Sequence, residues 1–221
     1  MISKTFIDVS HTVEDGLVTY PGLPAPMVCD FLSREASRSH YAPGTEFQIG
    51  KIEMVANTGT YVDAPFHRYP DGLDLSEVPL ERLAGLEAVV VSPPAQAGRA
   101  IGAEAFAGLD LAGRAVLVRT GWSRHFATAQ YFEGYPFLTE AAAGLLVAAG
   151  AALVGIDSLN IDDNTDGRRP VHTLLLGAQI PIAEHLTNLA RLPDRGFEFS
   201  AVPAKVKGLG SFPVRAYATL R

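Results

Sequence analysis

The stretch TEAAAGLLVAAGAALVGID, residues 139–157, decides the fold class. Thr139 is a helix-capping residue type, Ala and Leu fill the turns after it, and Gly150 suits a helix end, so a helix is expected from Thr139 to Ala149. Leu153-Val154-Gly155-Ile156 then runs apolar without alternation, as a strand covered on both faces does, with Asp157 at its carboxyl end. Ala88 to Val91 and Ala115 to Val118 read the same way, and a short helix is expected over Ala103 to Ala107. Strands and helices mixed in this way predict an α/β fold, a single domain over residues 1–221 with a mixed sheet and helices packed on it.

The composition narrows the function classes. At 221 residues, 48% of them apolar, the chain can bury one sizeable core. Its net charge of -6 and the absence of any basic cluster beyond Arg168-Arg169 argue against a nucleic-acid surface. Cys29 is the only cysteine, so no intrachain disulfide can form. The chain opens strand-like at Met1-Ile2-Ser3-Lys4 and lacks the apolar core of a signal peptide. The longest apolar stretch, Ala141 to Ile156, is broken by Gly144, Gly150 and Gly155, so no membrane span is expected and a cytoplasmic location is.

Before this core, Phe6-Ile7-Asp8-Val9 reads as a first strand and Tyr20-Pro21-Gly22-Leu23-Pro24 as a turn. Asp30 to Gly44 is polar and loop-like, either a flap over a site or an arm toward a neighbouring subunit. Phe47 to Ala56 reads as a strand running into NTGTYVDAPFHRYPDG, residues 57–72. Asn57, Gly59, Tyr61 and Asp63 alternate, which on an extended strand points them to one side, and the missing side chain at Gly59 would open room there. Pro65 ends regular pairing and His67 follows within reach of the same space. An amide, a phenol, a carboxylate and an imidazole around one spot suit a site; an edge strand leading into a polar turn, with Asp63 bonded to the amides after Pro65, is the structural alternative.

Asp157, Asp162, Asp163 and Asp166 form an acidic loop whose spacing departs from a calcium-binding EF-hand. Pro170 suits the first position of a helix, which places His172 in its first turn. Ile180-Pro181-Ile182-Ala183 leads to Glu184, a carboxylate that needs a metal, an arginine or a lysine if it is buried. Arg215 is a candidate partner for Glu184 or for a substrate carboxylate, and His185 reads as exposed. Phe31, Tyr41, Phe47, Phe66, Tyr69 and Trp122 could line an aromatic pocket.

The chain resembles the kynurenine formamidase-like family of metal-dependent cyclases and hydrolases, which includes isatin hydrolase. The likeness covers nearly the whole length: Asp8-Val9-Ser10, Tyr20-Pro21-Gly22, Arg119-Thr120-Gly121-Trp122, Gly155-Ile156-Asp157, Glu184-His185-Leu186-Thr187-Asn188-Leu189 and Gly210-Ser211-Phe212-Pro213-Val214-Arg215. The central family signature, His-x-Gly-Thr-His-x-Asp-x-Pro-x-His, stands here as Asn57-Thr58-Gly59-Thr60-Tyr61-Val62-Asp63-Ala64-Pro65-Phe66-His67. The resemblance implies a cyclase-like fold and a small-molecule substrate such as an N-formyl aromatic amine, a cyclic amide or a lactone. It implies subunits that pair, hence a homodimer or homotetramer. It makes His67 the catalytic histidine and Asp63, His172 and Glu184 the ligands of one divalent metal, zinc or manganese.

Both early signature histidines are replaced, by Asn57 and Tyr61, and neither an amide nor a neutral phenol is a good zinc ligand. Three functions follow as expectations. One is a hydrolase acting on carbon–nitrogen bonds through metal-activated water, with Asp63, His67 and Tyr61 as catalytic residues and Asn57, Phe66 and Trp122 against the substrate. The second is a metal-free enzyme in which Tyr61 and Asn57 donate to an oxyanion while Asp63 and His67 act as a base pair. The third is a binding protein without chemistry.

Overall fold

A computed structural model of the chain describes residues 4–94 and 98–220; Met1–Ser3, where the strand-like run was expected to open, lie outside them. The strands are β1 (Thr5–Asp8), β2 (Met27–Leu32), β3 (Ile49–Glu53), β4 (Tyr61–Asp63), β5 (Leu86–Val91), β6 (Ala100–Ile101), β7 (Ala115–Val118), β8 (Phe137–Leu138), β9 (Leu153–Ile156), β10 (Ile182–Glu184), β11 (Arg195–Ser200), β12 (Ser211–Pro213) and β13 (Tyr217–Leu220). The α-helices are α1 (Arg34–Ser37), α2 (Glu140–Ala148) and α3 (Pro170–Gly177). Nine strands form one mixed sheet in the order β1-β13-β11-β5-β7-β9-β10-β4-β12. Its centre, β5 through β10, is parallel, and both flanks pair antiparallel.

The central strands are apolar throughout because each of their faces feeds a different core. Ala88 and Val90 of β5 pack with Leu117, Phe197 and Phe199 on one side. Val89 and Val91 pack with Val116, Val154, Leu146 and Leu175 on the other, under α2 and α3. The α2 helix starts where its cap predicts: Thr139 Oγ1 accepts the Ala142 N–H at 3.2 Å. A proline opens α3, and His172 lies in its first turn. The expected helix at 103–107 is a 3-10 turn, Ala103–Phe106.

The segments before the site differ from the sequence reading. The Asp30–Gly44 segment is not wholly irregular, since it holds the end of β2 and all of α1. The strand expected at Phe47 to Ala56 is the shorter β3, which pairs with β2 in a separate two-stranded sheet and does not run into β4. Residues 57–60 are not extended either: β4 begins at Tyr61, and Gly59 has φ +65°. A side chain at Gly59 would come within 2.7 Å of Val13 Cγ2, so the glycine makes room for Val13 rather than for a ligand. No described helix is long and apolar enough to cross a membrane.

Register then fixes the site. Tyr61 stands opposite Glu184 of β10, and Asp63 stands opposite Ser211 of β12. Paired positions share a face, so four polar side chains project together from three short strands while Val62 and Ala183 turn to the core. The 3-10 turn Pro65–His67 follows directly and is pressed against β12's approach. A Cβ on Gly210 would overlap the backbone N and Cα of His67, a contact that only backbone movement relieves. Gly210→Ala is therefore expected to lower stability by about 1–3 kcal/mol. Gly144→Ala, in open space within α2, should raise it by about 0.5–1 kcal/mol. Urea unfolding checks both, and a Gly210→Ala protein as stable as the parent contradicts the clash.

Candidate active site and metal centre

Two buried carboxylates and a buried imidazole meet beneath a cavity of about 360 Å³. His172 Nε2 lies 3.6 Å from Asp63 Oδ2 and 3.8 Å from Glu184 Oε1. The three residues expected as metal ligands, far apart in sequence, thus converge. His67 joins them: one ligand atom each from Asp63, His67 and His172 lies within 4.8 Å of the others, a group that could hold a metal ion. This group contains His67 and not Glu184.

His172 is aimed by Asp162. The Asp162 carboxylate accepts the Val171 N–H at 2.8 Å, the His172 N–H at 3.0 Å and meets His172 Nδ1 at 2.6 Å. It caps the first turn of α3 and fixes the ring so that Nε2 faces Asp63 and Glu184, as outer carboxylates do for metal-binding histidines. The Glu184 oxygens are well supplied: Oε1 accepts the Ile161 N–H at 2.6 Å, and Oε2 accepts the Tyr61 hydroxyl and, at 3.4 Å, the Asn160 amide. Asp63 is supplied on one side only. Its Oδ1 accepts from Ser211 Oγ and, at 3.3 Å, from Asn57 Nδ2, while the fully buried Oδ2 has no hydrogen-bond partner.

These surroundings set the protonation states. Burial disfavours charge on His172, but Asp162, Asp63 and Glu184 outweigh it and hold the ring up to about 10. Burial pushes Glu184 up to about 7 against the pull of His172. Burial also opposes charge on Asp63, yet His172, His67 and Ser211 keep it below its ordinary value. Tyr61 is driven well above 10 by burial and then by Glu184 and Asp63, so it is a neutral phenol that donates. The pocket therefore demands positive charge near His172 Nε2, supplied either by a proton or by a cation. Asp63 Oδ2 is an unpartnered buried carboxylate oxygen aimed at the same point. Oxygen and imidazole donors of this kind suit zinc or manganese, so the residues present fit a divalent ion.

Several expected roles change. Tyr61 gives its one donor to Glu184, and Asn57, which lines the cavity, gives one of its two amide hydrogens to Asp63. Asp63 does not bond to the amides after Pro65; Asn57 and Ser211 are its partners. His185 is not exposed: it is fully buried, and burial lowers it to about 3, so it is neutral. Arg215 reaches neither Glu184 nor the cavity; its Nε bonds Asp8 Oδ2 at 2.8 Å. Among the expected aromatics, Phe31, Tyr41 and Phe47 are exposed, and Tyr69 bonds the Thr173 carbonyl. Neither Phe66 nor Trp122 lines the cavity; Trp122 Nε1 bonds the Tyr131 carbonyl at 3.0 Å. The cavity is lined instead by Tyr20, Leu23, Asn160 and arginines 68, 168 and 169. Ser211 and Asp162 are the site residues that the sequence reading passed over as chemistry. Ser211 sat inside a quoted motif, and Asp162 stood among four acidic residues with nothing local to single it out.

The profile of the Cyclase family, described as "Putative cyclase", matches residues 7–163, and the chain belongs to that family. Kynurenine formamidase from Bacillus cereus is 28% identical over 217 residues, 98% of this chain and 98% of that protein. A solved structure described as a potential metal-dependent hydrolase with cyclase activity superimposes with a TM-score of 0.81 at 26% identity, covering 99% of both chains. Isatin hydrolase A from Labrenzia aggregata, bound to benzyl benzoate, shares the fold with a TM-score of 0.83 at 24% identity over 98% of this chain and 94% of that one.

The Asp162 clamp is open to test. Asp162→Ala strands two helix-terminal N–H groups and the His172 ring, and is expected to cost about 2–4 kcal/mol in chemical denaturation. Zinc affinity by competition titration should fall roughly 10- to 100-fold. Unchanged affinity would mean that Asp162 does not orient the ring.

Proposed function

We propose that the protein is a one-metal hydrolase of a small amide, cyclic amide or lactone. The observation that carries this reading is Asp63 Oδ2, buried without a hydrogen bond, 3.6 Å from an imidazole that Asp162 has already aimed. Asp63 and His172, with Glu184 behind them, would hold the ion, and when bound it would supply an acidified water and a polarised carbonyl. Its relatives, a formamidase and a potential metal-dependent hydrolase, support the reaction class.

The chain's own residues handle the proton. Ser211 Oγ gives its one hydrogen to the Asp63 carboxylate, so toward His67 Nδ1, 2.9 Å away, it acts as acceptor. His67 then carries its hydrogen on Nδ1 and offers Nε2 as a base at the cavity, which His67 lines. It takes a proton from the attacking water and returns it to the leaving nitrogen or oxygen as the bond to the carbonyl carbon breaks. Tyr61 and Asn57 hold the carboxylates in place and stay neutral. A second reading has one geometric observation behind it: His172 Nε2 stands 3.6 Å from Asp63 and 3.8 Å from Glu184, so a protonated ring would itself answer the negative charge, leaving a metal-free enzyme.

Metal content and activity decide between the two. About one zinc or manganese per chain is expected, lost in Asp63→Ala and His172→Ala, with retention in His67→Ala alongside a roughly 100- to 10,000-fold lower kcat on formanilide. Activity without bound metal, even after soaking in zinc and manganese, overturns the one-metal reading. Loss of metal in His67→Ala makes His67 a ligand.

We further propose that two copies pair through the β2–β3 hairpin. Met27, Val28, Phe31, Ile49 and Ile52 are all exposed on it, and an isolated hairpin is marginal in water unless something covers it. Light scattering should show a dimer or tetramer that Phe31→Asp with Ile52→Asp dissociates; a monomeric parent protein removes the proposal.

A further inference from the structure

Three arginines line the mouth of the cavity, above an acidic floor, and they are not equivalent. Arg168 is neutralised, with Nη2 2.8 Å from Asp166 Oδ2 and Nη1 3.5 Å from Glu140 Oε2. Among the described residues, half-buried Arg169 hydrogen-bonds to neutral groups only: Nη1 donates to Asn160 Oδ1 at 3.0 Å and to Asn164 Oδ1, and Nη2 reaches the Tyr20 hydroxyl at 3.5 Å. Arg68 likewise bonds Thr173 Oγ1 at 3.3 Å and lies over the Tyr69 ring, and among the described residues no carboxylate pairs with it. A guanidinium has five N–H donors, so Arg169 retains unspent donors at the cavity wall, and Asp162 and Glu184 attract its charge without a hydrogen bond to it. It also stands directly before Pro170 with φ +50°, a left-handed conformation that arginine rarely adopts.

Arg169 is tied to the reaction centre by a single side chain. Asn160 accepts from Arg169 through Oδ1, while its Nδ2 lies 3.4 Å from Glu184 Oε2. An anion seated on Arg169 would therefore lie within a small molecule's length of the carbonyl under attack. Tyr20 and Leu23 line the same cavity and add apolar surface to it.

We propose that the cavity mouth is an anion subsite in which Arg169, assisted by Arg68, holds a carboxylate that the substrate carries a few bonds from its scissile carbonyl. This narrows, and rests on, the hydrolase reading above. The substrate class becomes small carboxylate-bearing amides or lactones, with Arg169 as the residue that selects them through paired, charge-assisted hydrogen bonds.

Formanilide and N-formylanthranilate, which differ by one ortho carboxylate, test the subsite on the protein loaded with zinc or manganese. The parent should favour N-formylanthranilate in kcat/KM. Arg169→Gln should lower kcat/KM for N-formylanthranilate roughly 30-fold, chiefly through KM, and change formanilide less than about 3-fold. Equal losses on both substrates would make Arg169 a merely structural residue and overturn the proposal, as would equal use of both substrates by the parent. If neither substrate turns over, calorimetry with anthranilate and anthranilamide separates the two ideas. Anthranilate binding that Arg169→Gln weakens, with anthranilamide unchanged, keeps the subsite while the hydrolase reading fails. Anthranilate that does not bind the parent, or binds both proteins alike, removes the subsite.

Discussion

Asp63, Asp162 and Glu184 are all buried around one imidazole, and the rest of the site follows from having to tolerate that much negative charge out of water. An unpaired buried carboxylate costs several kcal/mol, so each oxygen must be met by a donor or a cation. Asp162 is met by two backbone N–H groups and the His172 ring. Glu184 is met by a backbone N–H, a phenol and an amide. Only Asp63 Oδ2 is left over, and it faces His172 Nε2. The remaining demand is for positive charge at one point.

The two departures from the family signature make sense in those terms. Asn57 and Tyr61 stand where the signature has histidines, and each gives a neutral donor to a carboxylate oxygen: Asn57 to Asp63, Tyr61 to Glu184. Where an imidazole would offer a lone pair to a metal, an amide N–H and a phenol O–H satisfy the carboxylates without one. The substitutions therefore answer part of the buried negative charge with hydrogen bonds instead of with metal ligands. Burial keeps Tyr61 protonated, which is the condition for it to play this part.

How much of this the sequence showed depended on whether the signal was local. The continuous apolar strands and the capped helix around residues 139–157 announced both covered faces of the sheet, because burial on two faces leaves no polar alternation to misread. Asp63, His172 and Glu184 could be named from motif likeness alone, but their meeting depends on the β10–β4–β12 register and on Asp162, neither of which leaves a local trace. Residues 57–60 misled because alternation in four residues also fits a turn, and Gly59 served a left-handed bend against Val13. His185 misled because a histidine beside a glutamate looks solvated, while here the strand end turns it inward to pack between Tyr61 and Tyr131. The cavity wall was sought among scattered aromatics, yet Asn160, Arg168 and Arg169 from the loop before α3 build much of it, with Arg68, Tyr20 and Leu23 from elsewhere in the chain.

The same electrostatics link floor and mouth. With no positive charge at His172, the floor's carboxylates would repel any anion that entered, however well Arg169 and Arg68 were placed. Positive charge at that point lowers the barrier, and an anion bound at the mouth in turn makes positive charge at the floor more favourable. Such coupling is reciprocal by thermodynamic necessity, and Asn160, shared between Arg169 and Glu184, is the side chain across which the two ends meet. Arg169 and Glu184 thus stand one side chain apart, held by the loop into α3 and by the end of β10.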